Sequence, residues 1–298
     1  AAQRAQELGV AIIPLSQKEG VTKDRSFVFR NSMINSLQAR ELVRYAMDVR
    51  GMNRFAILYP TDDYGQQFAI FFEDEVRRKS GVIVKKVAYA PGQTDFRHEI
   101  RELVDIENIE ARKEEWLQIK TEMETKLGRE VKPSEVELPP HVDYEGLFIP
   151  DYPKTVGQIV PAWFAYGGRA EVTFLGTSGW NSPDLLRRAG EHVEGAIFVD
   201  GWFPSGANAY VQNFYQTYQQ EFGKEPDILA AQSFDATAIL LELLKNPSIQ
   251  TRSELKNGLK RMKNFPGVTG STSFTSEGEV EKTLVVLTPD RGMIRRLQ

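Results

Sequence analysis

Short apolar blocks alternate with amphipathic stretches through the middle of this chain. The block 53–59 is followed by an amphipathic stretch, 66–79, and then by a second apolar block, 82–88. Apolar blocks of this length predict strands that are buried on both faces, whereas apolar residues spaced three and four apart predict a helix. The three segments together have the length and the order of one βαβ unit.

The same alternation continues to residue 199 and predicts a parallel sheet that helices cover on both faces. The predicted strands are 53–59, 82–88, 144–149, 171–175 and 194–199. The predicted helices of this region are 36–49, 66–79, 95–104, 155–166 and 183–188. We therefore assign the chain to the α/β class, and we expect the loops that leave the strands to meet at one edge of the sheet.

The two ends of the chain follow another pattern. Helices without strands between them are predicted at 209–222, 230–244 and 253–262. A helix at 1–8 and a strand at 10–15 begin the chain, and a hairpin formed by 272–274 and 283–287 comes near its end. One strand is too few for four helices to cover, so we expect a first lobe that lacks its opening strands.

A charged segment, 105–140, interrupts the alternation. Residues 105–138 include ten acidic and six basic side chains. Apolar residues at helical spacing predict one helix with a narrow apolar stripe, formed by Ile109, Trp116, Ile119, Met123 and Leu127. We interpret the segment as an insertion. It is either a solvated surface helix or a docking site for a protein partner with Trp116 as its anchor.

The composition argues against several classes of protein. The chain has 298 residues, 41% of them hydrophobic, which is enough for two cores. A net charge of −4 argues against a general nucleic-acid-binding protein. The sequence contains no apolar run long enough to span a membrane, and it contains no cysteine.

Enzymatic motifs are missing from the sequence at the places where this fold class carries them. The loop after 53–59 has no GxGxxG pattern, and the chain has no GxxxxGK[ST] phosphate loop. GTSGW at 176–180 is not a GxSxG nucleophile elbow. The three histidines, His98, His141 and His192, do not have the spacing of metal ligands. We therefore predict a protein without catalytic residues, cofactor or metal.

Three loops at the carboxyl edge of the predicted sheet carry candidate ligand-binding groups. With the strand order 2-1-3-4-5, the order reverses between the first and third strands, where open α/β sheets bind ligands. The loops 60–65 and 150–153 leave these two strands and place Tyr64 and Tyr152 beside aspartates. Hydroxyl groups and an indole follow the next strand, at 176–181. Such groups suit a small polar or zwitterionic ligand, although these aromatic side chains could equally pack inside the protein.

Six stretches of the chain occur in the order found in type I periplasmic solute-binding proteins. They are YPTDDYGQQFA, AYAPGQTDF, GLFIPDYP, FLGTSGWNSPDLL, VEGAIFVDGW and GVTGSTSFTSEGEV. The chain most resembles the leucine/isoleucine/valine-binding receptors of ABC importers, over nearly all of its length apart from 105–140. The resemblance implies two interleaved three-layer α/β lobes that close on a ligand. On this basis the first lobe comprises 1–31 and 206–268, and the second lobe comprises 32–205 and 269–298.

The resemblance also implies a set of binding residues. By position, Ser16 would contact a ligand carboxylate from the first lobe, with its neighbour Gln17 as a second candidate. In the amino-acid receptors an acidic residue after the fourth strand of the second lobe holds the ligand ammonium, but this chain has Ser178 there. A buried ammonium without a carboxylate is costly, so an amino-acid ligand requires a substitute, for which Asp151 is the candidate. The complete predicted set is Ser16, Gln17, Tyr64, Asp151, Tyr152, Ser178 and Trp180.

The function implied by the resemblance is non-enzymatic capture of a small polar molecule, an amino acid or a related metabolite, for an ABC importer. The protein would be periplasmic or otherwise extracytoplasmic, with a lipid anchor in a segment upstream of residue 1. Its partners would be the ligand and an ABC permease, or another periplasmic protein that docks on 105–140. An alternative on the same fold is a periplasmic regulator that acts by protein contact, such as an activator of penicillin-binding proteins.

Overall fold

The computed structural model describes residues 1–205 and 208–297, which form two compact units. The first unit contains Ala1–Glu41, Val199–Leu287 and Arg295–Gln298. The second unit contains Leu42–Phe198 and Thr288–Ile294. The lobe bounds inferred from the sequence stay a prediction, and two of them, 206 and 298, lie outside the described residues.

A seven-stranded sheet contains all five strands predicted from the alternating region. These are β1 (Arg54–Pro60), β2 (Val82–Tyr89), β3 (Gly146–Phe148), β4 (Thr173–Gly176) and β5 (Ile197–Asp200). Their order is β2-β1-β3-β4-β5, and every neighbouring pair is parallel. Four successive β1 residues, Phe55 to Leu58, are fully buried, so this strand is covered on both faces. The predicted order is confirmed, and the strand order reverses between β1 and β3.

Five further strands follow β5 in the described part of the chain. β6 (Phe265–Gly267), β7 (Gly270–Phe274) and β8 (Val280–Lys282) form an antiparallel sheet of three strands. β9 (Val285–Asp290) and β10 (Met293–Arg296) extend the seven-stranded sheet beyond β5.

The predicted pairing of 272–274 with 283–287 is therefore wrong. The turn after β7 closes when Thr275 N–H donates to the Glu279 carbonyl (2.8 Å), which brings β8 directly opposite β7. The predicted strand 10–15 is also wrong, because only Ile12 forms a bridge, with Val28. Pro14 has no N–H with which to continue the ladder.

Ten α-helices occur within the described residues. They are α1 (Ala2–Leu8), α2 (Asn35–Arg44), α3 (Asp63–Arg78), α4 (Arg97–Leu103), α5 (Lys113–Leu127), α6 (Pro153–Ala165), α7 (Pro183–Ala189), α8 (Ala209–Phe222), α9 (Ile228–Leu244) and α10 (Arg252–Arg261). α3 follows β1, and α6 follows β3, each after a short loop, as in βαβ units.

The insertion contains the predicted helix, α5, and this fully described helix has no fully buried residue. Trp116 is half-buried, and its indole N–H is enclosed without a hydrogen-bond partner in the described part of the chain. Ile109 and Leu127, at the ends of the predicted stripe, are 44% and 51% exposed. The middle of the stripe is therefore half-buried, and its ends are exposed. Docking of a partner on this segment stays a prediction.

The first unit encloses an ion pair between Lys282 and Asp235, whose side chains are fully buried. Nζ of Lys282 lies 3.7 Å from Oδ2 of Asp235 and donates to Oδ1 of Asn31 at 2.9 Å. The Asp235 carboxylate also accepts the backbone N–H groups of Val268 (2.6 Å) and Thr269 (2.9 Å). Burial lowers the pKa of Lys282 from 10.5 to about 8.

This shift predicts that the free energy of unfolding rises with pH between 8 and 10.5. Lys282 loses its proton near pH 8 when folded but near 10.5 when unfolded, so between these values the unfolded chain binds more protons. The gain is at most about 3 kcal/mol. Denaturant unfolding at pH 7.5 and 10 should show it in the wild type, and the gain should disappear in Lys282→Met. An identical pH dependence in both proteins would contradict the assignment.

Candidate functional site

A sharp turn from β1 into α3 fixes the position of Tyr64. The Oδ1 atom of Asp62 accepts the N–H of Gly65 at 2.8 Å and caps the helix. A Cβ on residue 65 would lie 2.3 Å from the Pro60 carbonyl oxygen, so the turn requires glycine. Tyr64 is therefore held in the first turn of α3, at the carboxyl end of β1.

Asp151 and Tyr152 occupy the corresponding place after β3. The Asp151 Oδ1 atom accepts the backbone N–H of Tyr152, and its Oδ2 atom accepts the hydroxyl of Tyr89, both at 2.6 Å. Pro153 then opens α6 at a position where its missing N–H costs nothing. Two donors thus fix the orientation of the Asp151 carboxylate, which keeps further lone pairs for another donor.

The loop after β4 connects the other two loops. Thr177 is buried, and its Oγ1 atom is hydrogen-bonded to the Tyr64 hydroxyl at 2.8 Å. Trp180 is fully buried and donates its indole N–H to the Asp151 carbonyl at 3.0 Å. A Cβ on Gly176 would come within 2.2 Å of the indole, so glycine is needed for the ring to lie against the end of β4.

The Tyr64 and Tyr152 rings form an aromatic platform at this edge. They stack with their centroids 5.1 Å apart and an angle of 20° between the planes. The hydroxyl of Tyr64 is bound to Thr177, but Tyr152 is 53% exposed. The platform therefore offers a ligand the Tyr152 ring, backed by a second ring that cannot easily move.

The carboxylates of Asp62 and Asp151 make the electrostatic field at this edge negative. Burial raises the pKa of Tyr64, Tyr89 and Tyr152, and the carboxylates of Asp62 and Asp151 raise each of them further. All three phenols are therefore neutral near pH 7. A cationic group beside the platform would be stabilised by the two carboxylates, whereas an anionic group would be repelled.

The structure brings together five of the seven residues predicted to bind ligand. Tyr64, Asp151, Tyr152 and Trp180 are linked by the contacts described above, and Ser178 opens the short helical turn Ser178–Trp180 in the third loop. Trp180 differs from the others because its side chain is enclosed, so it braces the Asp151 loop. The ligand-binding roles themselves stay predictions.

The other two predicted residues lie in the first unit. The Ser16 hydroxyl oxygen accepts the backbone N–H of Lys18 at 3.2 Å, and Gln17 is exposed. The sequence reasoning missed Thr177 and Tyr89, which lock the Tyr64 and Asp151 side chains. Their positions at the ends of β4 and β2 were the available indication, since the ends of parallel strands share one edge.

The described residues contain neither a cluster of metal-ligating side chains nor a helix suited to a membrane. In residues 1–205 and 208–297, no cluster of three or more histidine, aspartate or glutamate side chains has an arrangement suited to a metal ion. None of the helices in these ranges combines the length and the apolar character that crossing a membrane requires.

Solved structures share this fold at low sequence identity. The leucine-binding protein LivK from Thermotoga maritima MSB8 has a TM-score of 0.66 and 21% identity, over 100% of this chain and 75% of that one. A putative branched-chain amino acid ABC transporter protein from Rhodospirillum rubrum has a TM-score of 0.79 and 21% identity, over 98% and 74%. A solute-binding protein from Rhodopseudomonas palustris BisB5, in complex with 3,4-dihydroxybenzoic acid, has a TM-score of 0.64 and 17% identity, over 99% of this chain and 72% of that one.

These similarities confirm the predicted α/β fold of the type I binding proteins. No curated protein shows a significant sequence match to the chain. The family model described as periplasmic binding protein matches residues 140–292, which include β3, β4 and β5 and the loops that follow them. Because this match covers just over half of the sequence, the chain belongs to the periplasmic binding protein family.

Proposed function

We propose that this protein is the substrate-binding component of an ABC importer and that it binds a small molecule on the exposed ring of Tyr152, beside Asp151. The observation that supports this most is the convergence of three loops at one sheet edge. There the Tyr64–Tyr152 platform is 53% exposed on its outer ring and lies next to an oriented carboxylate. No catalytic step is proposed, because the binding event itself is the function.

The chemistry of the edge favours an amino acid over an aromatic acid. Relatives of both kinds are known, since LivK is named for leucine and the Rhodopseudomonas protein holds 3,4-dihydroxybenzoic acid. Here the ammonium of an amino acid would meet the carboxylate of Asp151 and the face of Tyr152, both of which attract cations. A benzoate would bring its negative charge into an acidic field. We therefore propose a small apolar amino acid as the ligand class.

The family implies an extracytoplasmic location. We propose that the protein is located in the periplasm and that its partner is an ABC permease. The contacts of Ser16 and Gln17 with the ligand carboxylate rest on the resemblance and belong to the same proposal. Regulation by protein contact would be favoured by a long exposed apolar stripe on α5, but the middle of that stripe is half-buried.

Calorimetric titration tests the proposed ligand class. We expect saturable binding of L-leucine, L-isoleucine or L-valine, and weaker or no binding of benzoate and 3,4-dihydroxybenzoate. Tyr152→Ala should weaken the binding at least tenfold, because the ring that covers the ligand is lost, roughly 1.4 kcal/mol or more. Tyr210→Ala is the matched control, since Tyr210 is a tyrosine of similar exposure (44%) on α8 of the first unit.

Two results would contradict the proposal. One is a wild-type protein that binds none of these molecules. The other is equal affinity in the wild type and in Tyr152→Ala, which would place the ligand elsewhere.

A further inference from the structure

A loop of the first unit, residues 15–26, leaves and returns to the fold at neighbouring points. The backbone N–H of Ile12 donates to the Phe27 carbonyl, and the N–H of Phe29 donates to the Ile12 carbonyl, both at 2.9 Å. These bonds close the base of the loop. Ser16, one of the predicted ligand-binding residues, lies at its beginning.

Arg30 and Glu279 hold this 15–26 loop at two points. Arg30 is fully buried, and its Nη1 atom donates to the Lys18 carbonyl at 2.8 Å. Its Nη2 atom donates to Oε1 of Glu279 at 2.6 Å. The same oxygen of Glu279 accepts the hydroxyl of Thr22. One ion pair thus reaches the loop both near its beginning and near its middle.

The turn that carries Glu279 is itself fixed to the backbone beside Arg30. The Arg30 N–H donates to the Gly278 carbonyl at 2.8 Å. Gly278 has a φ of +78°, and a Cβ there would lie 2.1 Å from the Val28 carbonyl oxygen. Only glycine allows so close an approach. The Glu279 carboxylate is therefore delivered to the loop by a rigid backbone contact.

The Arg30–Glu279 ion pair is expected to add little to the free energy of unfolding. Nε of Arg30 and Oε2 of Glu279 are enclosed and have no hydrogen-bond partner within the described residues. Buried ion pairs that are incompletely hydrogen-bonded contribute little net stability, and apolar residues of similar volume often replace them without loss. What apolar residues could not reproduce are the bonds to the Lys18 carbonyl and the Thr22 hydroxyl, and both of these fix the loop.

We propose that Arg30 and Glu279 are positioning residues that hold the 15–26 loop in the one conformation that presents Ser16 and Gln17 to the ligand. Ordering the loop before binding removes an entropic cost that the ligand would otherwise have to offset. The effect on the ligand rests on the proposed function, whereas the clamp on the loop does not.

Trypsin digestion of the native protein tests the clamp without any ligand. The 15–26 loop contains Lys18, and Arg30 binds the carbonyl of the bond that trypsin would cleave there. Glu279→Gln should raise the rate of cleavage after Lys18 at least tenfold, because cleavage under native conditions follows the population of the open loop. Glu281→Gln is the matched control, since Glu281 is an exposed carboxylate two residues away. Equal rates in Glu279→Gln and in this control would overturn the proposal.

A double variant separates positioning from stability. Arg30→Met with Glu279→Leu removes both charges, so the thermal midpoint should lie closer to that of the wild type than the midpoint of Glu279→Gln does. Cleavage after Lys18 should nevertheless stay fast, and the affinity for L-leucine should fall at least tenfold. Wild-type cleavage or wild-type affinity in the double variant would overturn the proposal. If the wild type binds no ligand, the proposed function fails, and the cleavage rates alone decide the clamp.

Discussion

Replacing Trp180 with alanine is expected to lower the free energy of unfolding of the protein by about 3–5 kcal/mol. The indole is fully buried and lies so close to Gly176 that a Cβ there would come within 2.2 Å of the ring. The substitution would therefore create a cavity between the third loop and the end of β4. It would also remove the donor to the Asp151 carbonyl, so the Asp151 loop should lose its orientation.

Denaturant unfolding measures this effect, and the chain offers a matched control. Trp116→Ala removes the same side chain from a half-buried position on α5, so it should cost much less. Trp180→Phe keeps most of the packing but loses the N–H that binds the Asp151 carbonyl. It should therefore lower the free energy of unfolding less than Trp180→Ala does and still weaken ligand binding. Equal losses of unfolding free energy in Trp180→Ala and Trp116→Ala would contradict this prediction.

Replacing Asp151 with asparagine is expected to weaken the binding of an amino acid by roughly a hundredfold, because a hydrogen bond to a charged group contributes about 1.5–3 kcal/mol. Asparagine can keep both contacts, because its oxygen can accept the Tyr152 N–H and its NH2 group can donate to the Tyr89 hydroxyl oxygen, so the loop should keep its shape. What is lost is the negative charge opposite the ligand ammonium. Calorimetry with L-leucine measures the change.

Asp63→Asn is the control for this prediction, because Asp63 is an exposed aspartate next to Tyr64 in the first turn of α3. It should leave the affinity within a factor of about two, as expected for an exposed charge that makes no direct contact. Unchanged affinity of Asp151→Asn for L-leucine, or tighter binding of benzoate than of L-leucine by the wild type, would contradict the prediction.

Much of the fold could be predicted because the inner strands of the parallel sheet, β1, β3, β4 and β5, are buried over most of their length. That enclosure gives β1 an unbroken apolar block, and the helices after β1 and β3 have a periodic apolar face. Two ends of the fold were predicted wrongly for local reasons. Pro14 stops a ladder that its apolar neighbours would continue, and the closed turn at 275–279 brings β8 opposite β7 before residue 283 is reached.

The candidate site could be predicted less completely than the sheet. The rule that ligands bind at the carboxyl edge indicated Tyr64, Asp151 and Tyr152, because it depends only on the order of the strands. Thr177 and Tyr89 lock these residues through bonds between side chains of different loops. Such bonds depend on distances between loop ends, and a single sequence does not contain them.

A crystal structure of the protein grown with L-leucine tests the proposed site most directly. We predict that the ligand lies against the Tyr152 ring with its ammonium nitrogen about 3 Å from a carboxylate oxygen of Asp151. A ligand bound away from the loops that follow β1, β3 and β4, or one whose carboxylate faces Asp151, would contradict the proposal.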